Sequence, residues 1–170
     1  QRAQCNHALE YAVRQANELD LPLVVCFGLT DRYPEANARH YAFMLEGLAE
    51  TRTALERRGA TFVLRRGDPS DIAIDVARSA ALLVADRGYL RHHREWRQRV
   101  AQEVACPVIQ VEADAVVPVE SASPKAEYSA ATLRPRLHRR LAEFLVPLAE
   151  TPLRRRSPPA TAAPPQLGEL

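Results

Sequence analysis

Residues able to bind a ligand follow each of four predicted strands, at the places where a parallel sheet puts its strand ends. The most informative pair is Asp86 and Arg87, which come directly after an apolar run. Both side chains would project into the crevice above the sheet, where α/β proteins bind ligands. A purely structural ion pair explains the two residues equally well. The other strand ends are polar or contain glycine: Phe27-Gly28-Leu29, Arg65-Arg66-Gly67 and Glu112-Ala113-Asp114.

Two basic runs and a histidine pair are further candidates for chemistry. The first could bind phosphates, because arginine pairs with phosphate oxygens through two hydrogen bonds, and it comprises Arg87, Arg91, His92, His93, Arg94, Arg97 and Arg99. Acidic residues interleaved with it favour a solvated helix face instead, and the run from Arg134 to Arg140 allows the same two interpretations. His92 and His93 are adjacent, so a helix turns them about 100° apart, which disfavours a shared metal. A surface role is expected for both.

Composition and missing motifs exclude several classes of protein. The chain has no G-x-G-x-x-G after a strand, no Walker A lysine, no H-E-x-x-H and no G-x-S-x-G. A net charge of +2 gives no overall attraction for nucleic acid. Three cysteines without a C-x-x-C pair predict neither a zinc site nor a disulfide framework, and they fit a reducing, cytoplasmic compartment. No apolar run reaches the roughly 18 residues of a membrane span.

Strand and helix patterns alternate along the chain, which predicts an α/β fold with a Rossmann-like, doubly wound parallel sheet. The expected strands are 21–27, 60–64, 81–85 and 108–111. The expected helices are 8–19, 38–58, 69–79, 91–104 and 133–148. Asn6 and Asp68 are suited to cap helices, and Gly59 to end one. We expect an α/β domain over 1–118, a linker and helix over 119–150, and a disordered Pro/Ala/Arg-rich tail over 151–170.

Three stretches carry longer motifs. Residues 38–50 read A-R-H-Y-A-F-M-L-E-G-L-A-E, residues 86–91 read D-R-G-Y-L-R with Trp96 behind them, and residues 117–135 run from V-P-V to L-R-P. The first is similar to the R-H-x-x-F-M-x-x-G-L-x-E helix of class II DNA photolyases, in the photolyase/cryptochrome family. The others resemble that family's D-x-x-x-L-R…W stretch and its interdomain linker. His7, Cys5 and Ala131 depart from the family pattern.

The resemblance implies a function that is shared between two domains. In the family, light absorbed by an antenna pigment passes to reduced FAD, which splits a cyclobutane pyrimidine dimer in UV-damaged DNA. The helical FAD domain would follow residue 150, and the central first strand would precede Gln1. The chain is therefore expected to be a fragment without catalytic or metal-binding residues. Deoxyribodipyrimidine photo-lyase activity is expected only of a longer chain.

The contribution expected of this domain is an antenna site for a light-harvesting pigment of the deazaflavin or folate type. By resemblance and by position at strand ends, its residues would be Phe27, Gly28, Leu29, Arg39, Asp86 and Arg87. Phenylalanine could stack on a ring, glycine allows close backbone approach, and an arginine could pair with an anionic group. Two alternatives stay open. One is a standalone, non-catalytic pigment- or nucleotide-binding module, and the other is a degenerate remnant without a ligand.

Overall fold

Strands and helices alternate in the computed structural model, which describes residues 2–158. The helices are α1 (His7–Leu19), α2 (Ala38–Arg57), α3 (Pro69–Ala77), α4 (Arg91–Glu103), α5 (Val119–Ala122) and α6 (Ala130–Phe144). The strands are β1 (Val24–Leu29), β2 (Thr61–Arg66), β3 (Leu83–Asp86) and β4 (Val108–Val111). Each predicted element is present within a few residues of its expected bounds. The short helix α5 was not predicted.

Local chemistry sets several helix boundaries. The Asn6 side chain accepts a hydrogen bond from the Leu9 N–H at 3.1 Å, which caps α1. The Asp68 carboxylate accepts from the Ser70 N–H at 2.8 Å and caps α3 in the same way. Gly59 follows α2 with a φ of +88°, a conformation that glycine adopts without steric cost. These three residues confirm the predicted helix ends.

The four strands form two parallel pairs rather than one continuous sheet. β1 pairs with β2, and β3 pairs with β4. Within residues 2–158 no strand joins the two pairs. The predicted α/β class is thus confirmed.

A cleft of about 620 Å³ separates the two strand pairs, and we call it the slot. One side is the free edge of β1 and the other is β3. Alanine-rich faces of α1 and α3 complete it, and they contribute Ala8, Ala12, Ala16, Ala73 and Ala77. Helix α1 packs on β3 and β4, while α3 packs on β1 and on α4. The slot therefore lies where a continuous sheet would have its centre.

The main hydrophobic core lies between α1, α2 and the β1–β2 pair. Its most buried members are Val13, Leu29, Leu48 and Leu55. A buried ion pair crosses its edge, with Arg58 Nη2 2.7 Å from Glu10 Oε1. Arg58 also donates to the carbonyl of Ala3 at 3.0 Å. The pair thus ties α1 to the end of α2.

Residues 151–158 lie against this core, which differs from the disordered tail predicted for 151–170. Leu153 packs on the core cluster. Ser157 Oγ accepts from the Leu23 N–H at 2.9 Å and donates to the Leu23 carbonyl at 2.7 Å. Local composition predicted disorder because these partners are more than a hundred positions away in sequence. The rest of the predicted tail, 159–170, lies outside the described residues.

Candidate functional site

A cavity of about 740 Å³ opens at the carboxyl end of β1, and we call it the aromatic pocket. Its walls come from the end of β1, the loop that follows it, the first turns of α2, and α4. The lining includes Phe27, Gly28, Leu29, Tyr33, His40, Tyr41, Met44, His93 and Trp96. Its volume is within the range of small-molecule sites, roughly 300 to 1,000 Å³. None of its lining residues is Asp, Glu, Lys or Arg.

Four rings pack together along one wall of the pocket. The Tyr33 and His92 ring centroids are 4.8 Å apart and nearly perpendicular. The Trp96 ring lies 5.1 Å from His92 and 5.6 Å from His93. Edge-to-face contacts of this kind stabilise by about 0.5 to 1.5 kcal/mol per pair beyond the burial of area. The wall is therefore held in place by its own ring contacts, with an indole available for stacking.

The loop after β1 is fixed by two tyrosines. Tyr41 on α2 donates its hydroxyl proton to the Thr30 carbonyl at 2.8 Å. The same hydroxyl oxygen accepts from the Tyr33 N–H at 3.4 Å. The start of α2 is fixed in turn by a capping box between Asn37 and His40. Together these bonds hold Tyr33 at the mouth of the pocket.

His93 supplies a polar group in this otherwise apolar wall. Its Nε2 lies 3.4 Å from the Tyr33 hydroxyl oxygen. Burial lowers the pKa of His93, and the neighbouring His92 and Arg97 lower it further, against an opposing effect of Asp114. The ring is therefore neutral at neutral pH and presents one donor and one acceptor nitrogen. A surface role was predicted for both histidines, but both are half-buried.

Gly88 makes room for the His93 ring. A Cβ added to Gly88 would lie 2.3 Å from His93 Nδ1 and 2.9 Å from its Cγ. Real Cβ atoms do not approach a ring so closely, so any side chain at this position would displace the imidazole. The residue is a positioning element of the pocket, although it follows β3 and not β1.

The structure brings only some of the predicted site residues together. Phe27, Gly28 and Leu29 all line the aromatic pocket. The close approach that Gly28 permits is to Pro69, whose Cα would lie 2.7 Å from an added Cβ. Arg39 is exposed in the first turn of α2 and is not among the lining residues.

Asp86 lies at the end of β3 and lines the slot instead. Burial by the surrounding protein raises the pKa of its carboxyl group, and the nearby Asp114 raises it further. Arg2 opposes both effects, while donating to the Ala113 carbonyl at 2.6 Å. Asp86 and Arg87, predicted as one ligand-facing pair, therefore face different partners.

Arg87 forms its ion pair with Glu120 on α5 through both terminal guanidinium nitrogens, with Nη1 3.1 Å from Glu120 Oε2. Its guanidinium also lies 5.7 Å from the centre of the Tyr89 ring. The pKa of Tyr89 is raised to about 12 by burial and by its hydrogen bond with Glu112. This cluster joins the loop after β3 to the loop after β4. The Arg87 guanidinium is therefore already engaged with protein partners.

Most arginines of the two basic runs have acidic or carbonyl partners. In α4, Arg91 pairs with Glu95 at 2.9 Å, and Arg97 donates to the Gly88 carbonyl at 2.6 Å. Arg99 lies 2.6 Å from Asp71 at the start of α3. In α6, Arg136 and Arg140 pair with Glu127 and Glu143. These contacts favour the interpretation of a paired, solvated surface over that of a phosphate site.

Six ring or thioether residues of the pocket were not selected as site residues from the sequence: Tyr33, His40, Tyr41, Met44, His93 and Trp96. A signal for four of them was present. His40, Tyr41 and Met44 lie within the 38–50 stretch, and Trp96 closes the 86–96 stretch. Tyr33 and His93 come from a loop and a basic helix, and only the tertiary structure places their side chains against each other.

Two kinds of feature are not found among residues 2–158. No group of three or more His, Cys, Asp or Glu side chains there is arranged to hold a metal ion. Across the same residues, no helix combines the length and hydrophobicity needed to cross a bilayer.

The chain, an α/β layer with a pocket at its strand ends, is similar to several known proteins. The family model for DNA photolyase matches residues 1–157. A deoxyribodipyrimidine photo-lyase of Methanothermobacter thermautotrophicus is 48% identical over 147 residues, covering 86% of this chain and 33% of that protein. The proteins of the same name from Potorous tridactylus and Arabidopsis thaliana are 39% and 33% identical, covering 85% and 86% of this chain.

The fold therefore defines an α/β domain of the Rossmann-like kind. The chain belongs to the DNA photolyase family. It spans about a third of the length of the curated relatives it matches, which is 28% of the Potorous protein and 30% of the Arabidopsis protein. A universal stress protein solved with cAMP is 21% identical with a TM-score of 0.36, a likeness that carries no functional argument.

Proposed function

We propose that this chain is the antenna domain of a class II deoxyribodipyrimidine photolyase and that the aromatic pocket holds the pigment. The observation that carries the proposal is the location of the class II motif. The motif at 38–50 forms the start of α2, and its specified residues His40 and Met44 line the pocket, as does Tyr41 between them. Two of the positions that resemble class II, His40 and Met44, thus contribute to the candidate site.

The lining suits a planar heteroaromatic ring. Trp96 and Phe27 offer faces for stacking, and the Tyr33 hydroxyl and His93 Nε2 offer hydrogen bonds to ring heteroatoms. Because no charged side chain lines the pocket, any anionic part of the pigment would stay outside it. We therefore assign the pigment ring, of the deazaflavin or folate type, to the pocket. Arg39 is exposed on the first turn of α2, outside the pocket, and would pair with an anionic part of the pigment.

The repair chemistry belongs to other parts of a longer chain. When bound, the pigment would absorb near-ultraviolet or blue light and pass the energy to FAD. We place FAD and the pyrimidine dimer of UV-damaged DNA outside residues 2–158. What these residues do is bind the ring, exclude water from it and fix its orientation. No residue of this domain is assigned a catalytic role.

Fluorescence of the single tryptophan provides the test, because Trp96 is the sole tryptophan of the chain and lies in the pocket wall. The chain is titrated with 5-deazariboflavin and, separately, with methenyltetrahydrofolate. We expect one of them to quench the Trp96 emission and to co-elute from gel filtration with its absorption band.

Two substitutions test whether the pigment binds in the aromatic pocket. Tyr33→Ala should weaken binding at least about tenfold, because it removes a ring contact and a hydroxyl partner of His93. Phe43→Ala is the matched control, since Phe43 is 81% exposed and does not line the pocket. Absence of binding for both pigments would leave the degenerate remnant as the better interpretation. Binding without photorepair by a longer, FAD-loaded chain would favour the standalone module.

A further inference from the structure

The ring wall of the aromatic pocket contains the sole tryptophan of the chain and one of its five tyrosines. The Trp96 and His92 ring centroids are 5.1 Å apart, and the His92 and Tyr33 centroids are 4.8 Å apart. A series of ring contacts thus leads from the indole to the phenol. Indole and phenol are also the two kinds of ring in this wall that give up a single electron most readily. Binding of a planar ligand makes no use of that property.

The Tyr33 hydroxyl group has a base beside it. A phenol that loses an electron becomes a strong acid, so a proton acceptor at its hydroxyl group makes the oxidation easier. Nε2 of His93 lies 3.4 Å from the Tyr33 hydroxyl oxygen. The His93 ring is neutral at neutral pH, because burial lowers its pKa. We assign the ring proton to Nδ1, which leaves Nε2 to accept from the Tyr33 hydroxyl group.

Charged and titratable groups from three elements surround His93. Tyr33 comes from the loop after β1, His92 and Arg97 lie on α4, and Asp114 follows β4. His92 and Arg97 disfavour the imidazolium form of His93, whereas Asp114 favours it. The Asp114 carboxylate therefore stabilises the positive charge that His93 gains when it accepts a proton.

The other four tyrosines lack a comparable acceptor. Tyr41 donates its hydroxyl proton to a backbone carbonyl, which is a very weak base. Tyr89 bonds to the Glu112 carboxylate, but burial and this bond raise its pKa to about 12, so the phenol holds its proton more firmly. Within residues 2–158, the hydroxyl groups of Tyr11 and Tyr128 have no hydrogen-bond partner. Tyr33 is thus the tyrosine best suited to lose an electron and a proton together.

We propose that Trp96, His93 and Tyr33 form a one-electron relay from the interior of the aromatic pocket to its mouth. A one-electron oxidant in the pocket takes an electron from the Trp96 indole and leaves a radical cation. Tyr33 gives one electron to this radical cation, which restores the indole, and its phenolic proton moves to Nε2 of His93. The products are a neutral phenoxyl radical on Tyr33 and an imidazolium on His93, so electrons, protons and charge balance.

The outer end of the relay is accessible to solvent, since Tyr33 is 36% exposed. A soluble one-electron reductant such as ascorbate can therefore reduce the phenoxyl radical, which takes its proton back from His93. If the oxidant is a ring bound in the pocket that has lost one electron, the relay returns that ring to its resting state. This use of the relay rests on the proposed function, whereas the relay itself does not.

Pulse radiolysis of the chain without any pigment tests the relay. The azide radical formed in the pulse oxidises indole faster than phenol, so the single tryptophan, Trp96, is the main first site of oxidation. We expect the absorption of the indole radical to decay while that of a phenoxyl radical grows, at a rate independent of protein concentration. Deuterium oxide should slow this step, because a proton moves with the electron.

Variants identify the donor and the base. Tyr33→Phe keeps the ring and removes the hydroxyl group, so the growth of the phenoxyl absorption should be lost. His93→Gln should slow the step about a hundredfold, because a positioned base contributes at least about that factor to proton transfer. Acidification of the unaltered chain below pH 6.5 should slow it as well, since His93 is then protonated. Tyr89→Phe is the matched control, because Tyr89 also bonds to a potential base, and the rate should stay unchanged.

Three outcomes would overturn the proposal. One is unchanged formation of the phenoxyl radical in Tyr33→Phe, or its loss in Tyr89→Phe. Another is a rate that rises with protein concentration, which indicates transfer between molecules. The third is a rate in the unaltered chain that responds neither to deuterium oxide nor to acidification, and this measurement holds even where a variant fails to fold. Pigment binding enters none of these outcomes, so a failure here is separate from a failure of the proposed function.

Discussion

The slot and the aromatic pocket are cavities of similar size that share one wall, yet they are made of different groups. The slot, about 620 Å³, is bordered by strand edges and alanine-rich helices. The pocket, about 740 Å³, is bordered by ring side chains and lies beyond the end of β1. Backbone edges are satisfied by another backbone, whereas rings and a neutral imidazole are suited to a small planar molecule. The comparison shows that the kind of group lining a cavity, and not its volume, indicates its occupant.

The largest effect should come from breaking the ion pair that holds the wall of the slot. Glu10→Gln leaves the largely buried Arg58 with only the exposed Glu150 carboxylate, 3.1 Å from its Nε, which is expected to cost about 3 kcal/mol of unfolding free energy. Urea unfolding measures the loss. Because Glu10 belongs to α1, amides of α1 should lose more exchange protection than those of α4.

Glu95→Gln is the control for this change, since Glu95 is an exposed partner of Arg91 within α4. Removal of such a helix pair costs roughly 0.5 kcal/mol or less. An equal loss in the two variants would contradict the structural importance of the buried pair.

A substitution at Gly88 should alter the aromatic pocket without altering the slot. The Cβ of Gly88→Ala would meet the His93 ring, so the ring must move, at an expected cost of about 1 to 3 kcal/mol in stability. Pigment affinity should fall at least about tenfold.

Gly47→Ala is the matched control, because a Cβ there meets nothing within 4 Å and the site lies inside α2. Replacing a helical glycine by alanine should stabilise by roughly 0.5 to 1 kcal/mol. Unaltered pigment affinity in Gly88→Ala would exclude His93 from the binding site.

The two cavities should also respond to pH in opposite directions. The pKa of His93 is lowered below 6.5, so the unfolded chain takes up its proton first, and stability falls as the pH drops from 6.5 through the folded value. The pKa of Asp86 is raised above 3.8, so its folded form holds a proton longer, and stability falls as the pH rises from 3.8 through the folded value.

Unfolding curves of two variants between pH 3 and 8 separate these contributions. His93→Gln should reduce the loss of stability as the pH falls below 6.5. Asp86→Asn should raise stability at neutral pH. If neither substitution alters the profile, the burial of the two groups does not control their protonation.

The smallest effect on stability and pigment affinity is expected at Arg87, which the sequence predicted to be a ligand-binding residue. Arg87→Gln removes a pair in which the Glu120 side chain is 71% exposed, so stability should change by less than about 1 kcal/mol. Pigment affinity should change by less than about twofold, because Arg87 is not a lining residue. A tenfold weakening in the same titration would restore its assignment as a partner for an anionic group.

Sequence patterns predicted the elements better than their assembly. The caps at Asn6 and Asp68 and the bend at Gly59 depend on neighbours within a few positions, and all three were predicted. The partners of Ser157 and Arg58 lie far away in sequence, so no local pattern indicates them. Of the residues that line the aromatic pocket, the sequence predicted Phe27, Gly28 and Leu29, because the end of an apolar run marks the end of a buried strand.

By itself the sequence determined the α/β alternation, the family and the motif at 38–50, since each depends on residue order alone. Only the tertiary structure decided which strand ends share a cavity. Asp86 and Arg87 are adjacent in the chain, but one lines the slot and the other pairs with α5. Tyr33 and His93 are sixty positions apart and meet at 3.4 Å. The physical reason is that neighbouring residues of a strand point in different directions, whereas a folded sheet brings distant loops together at its edge.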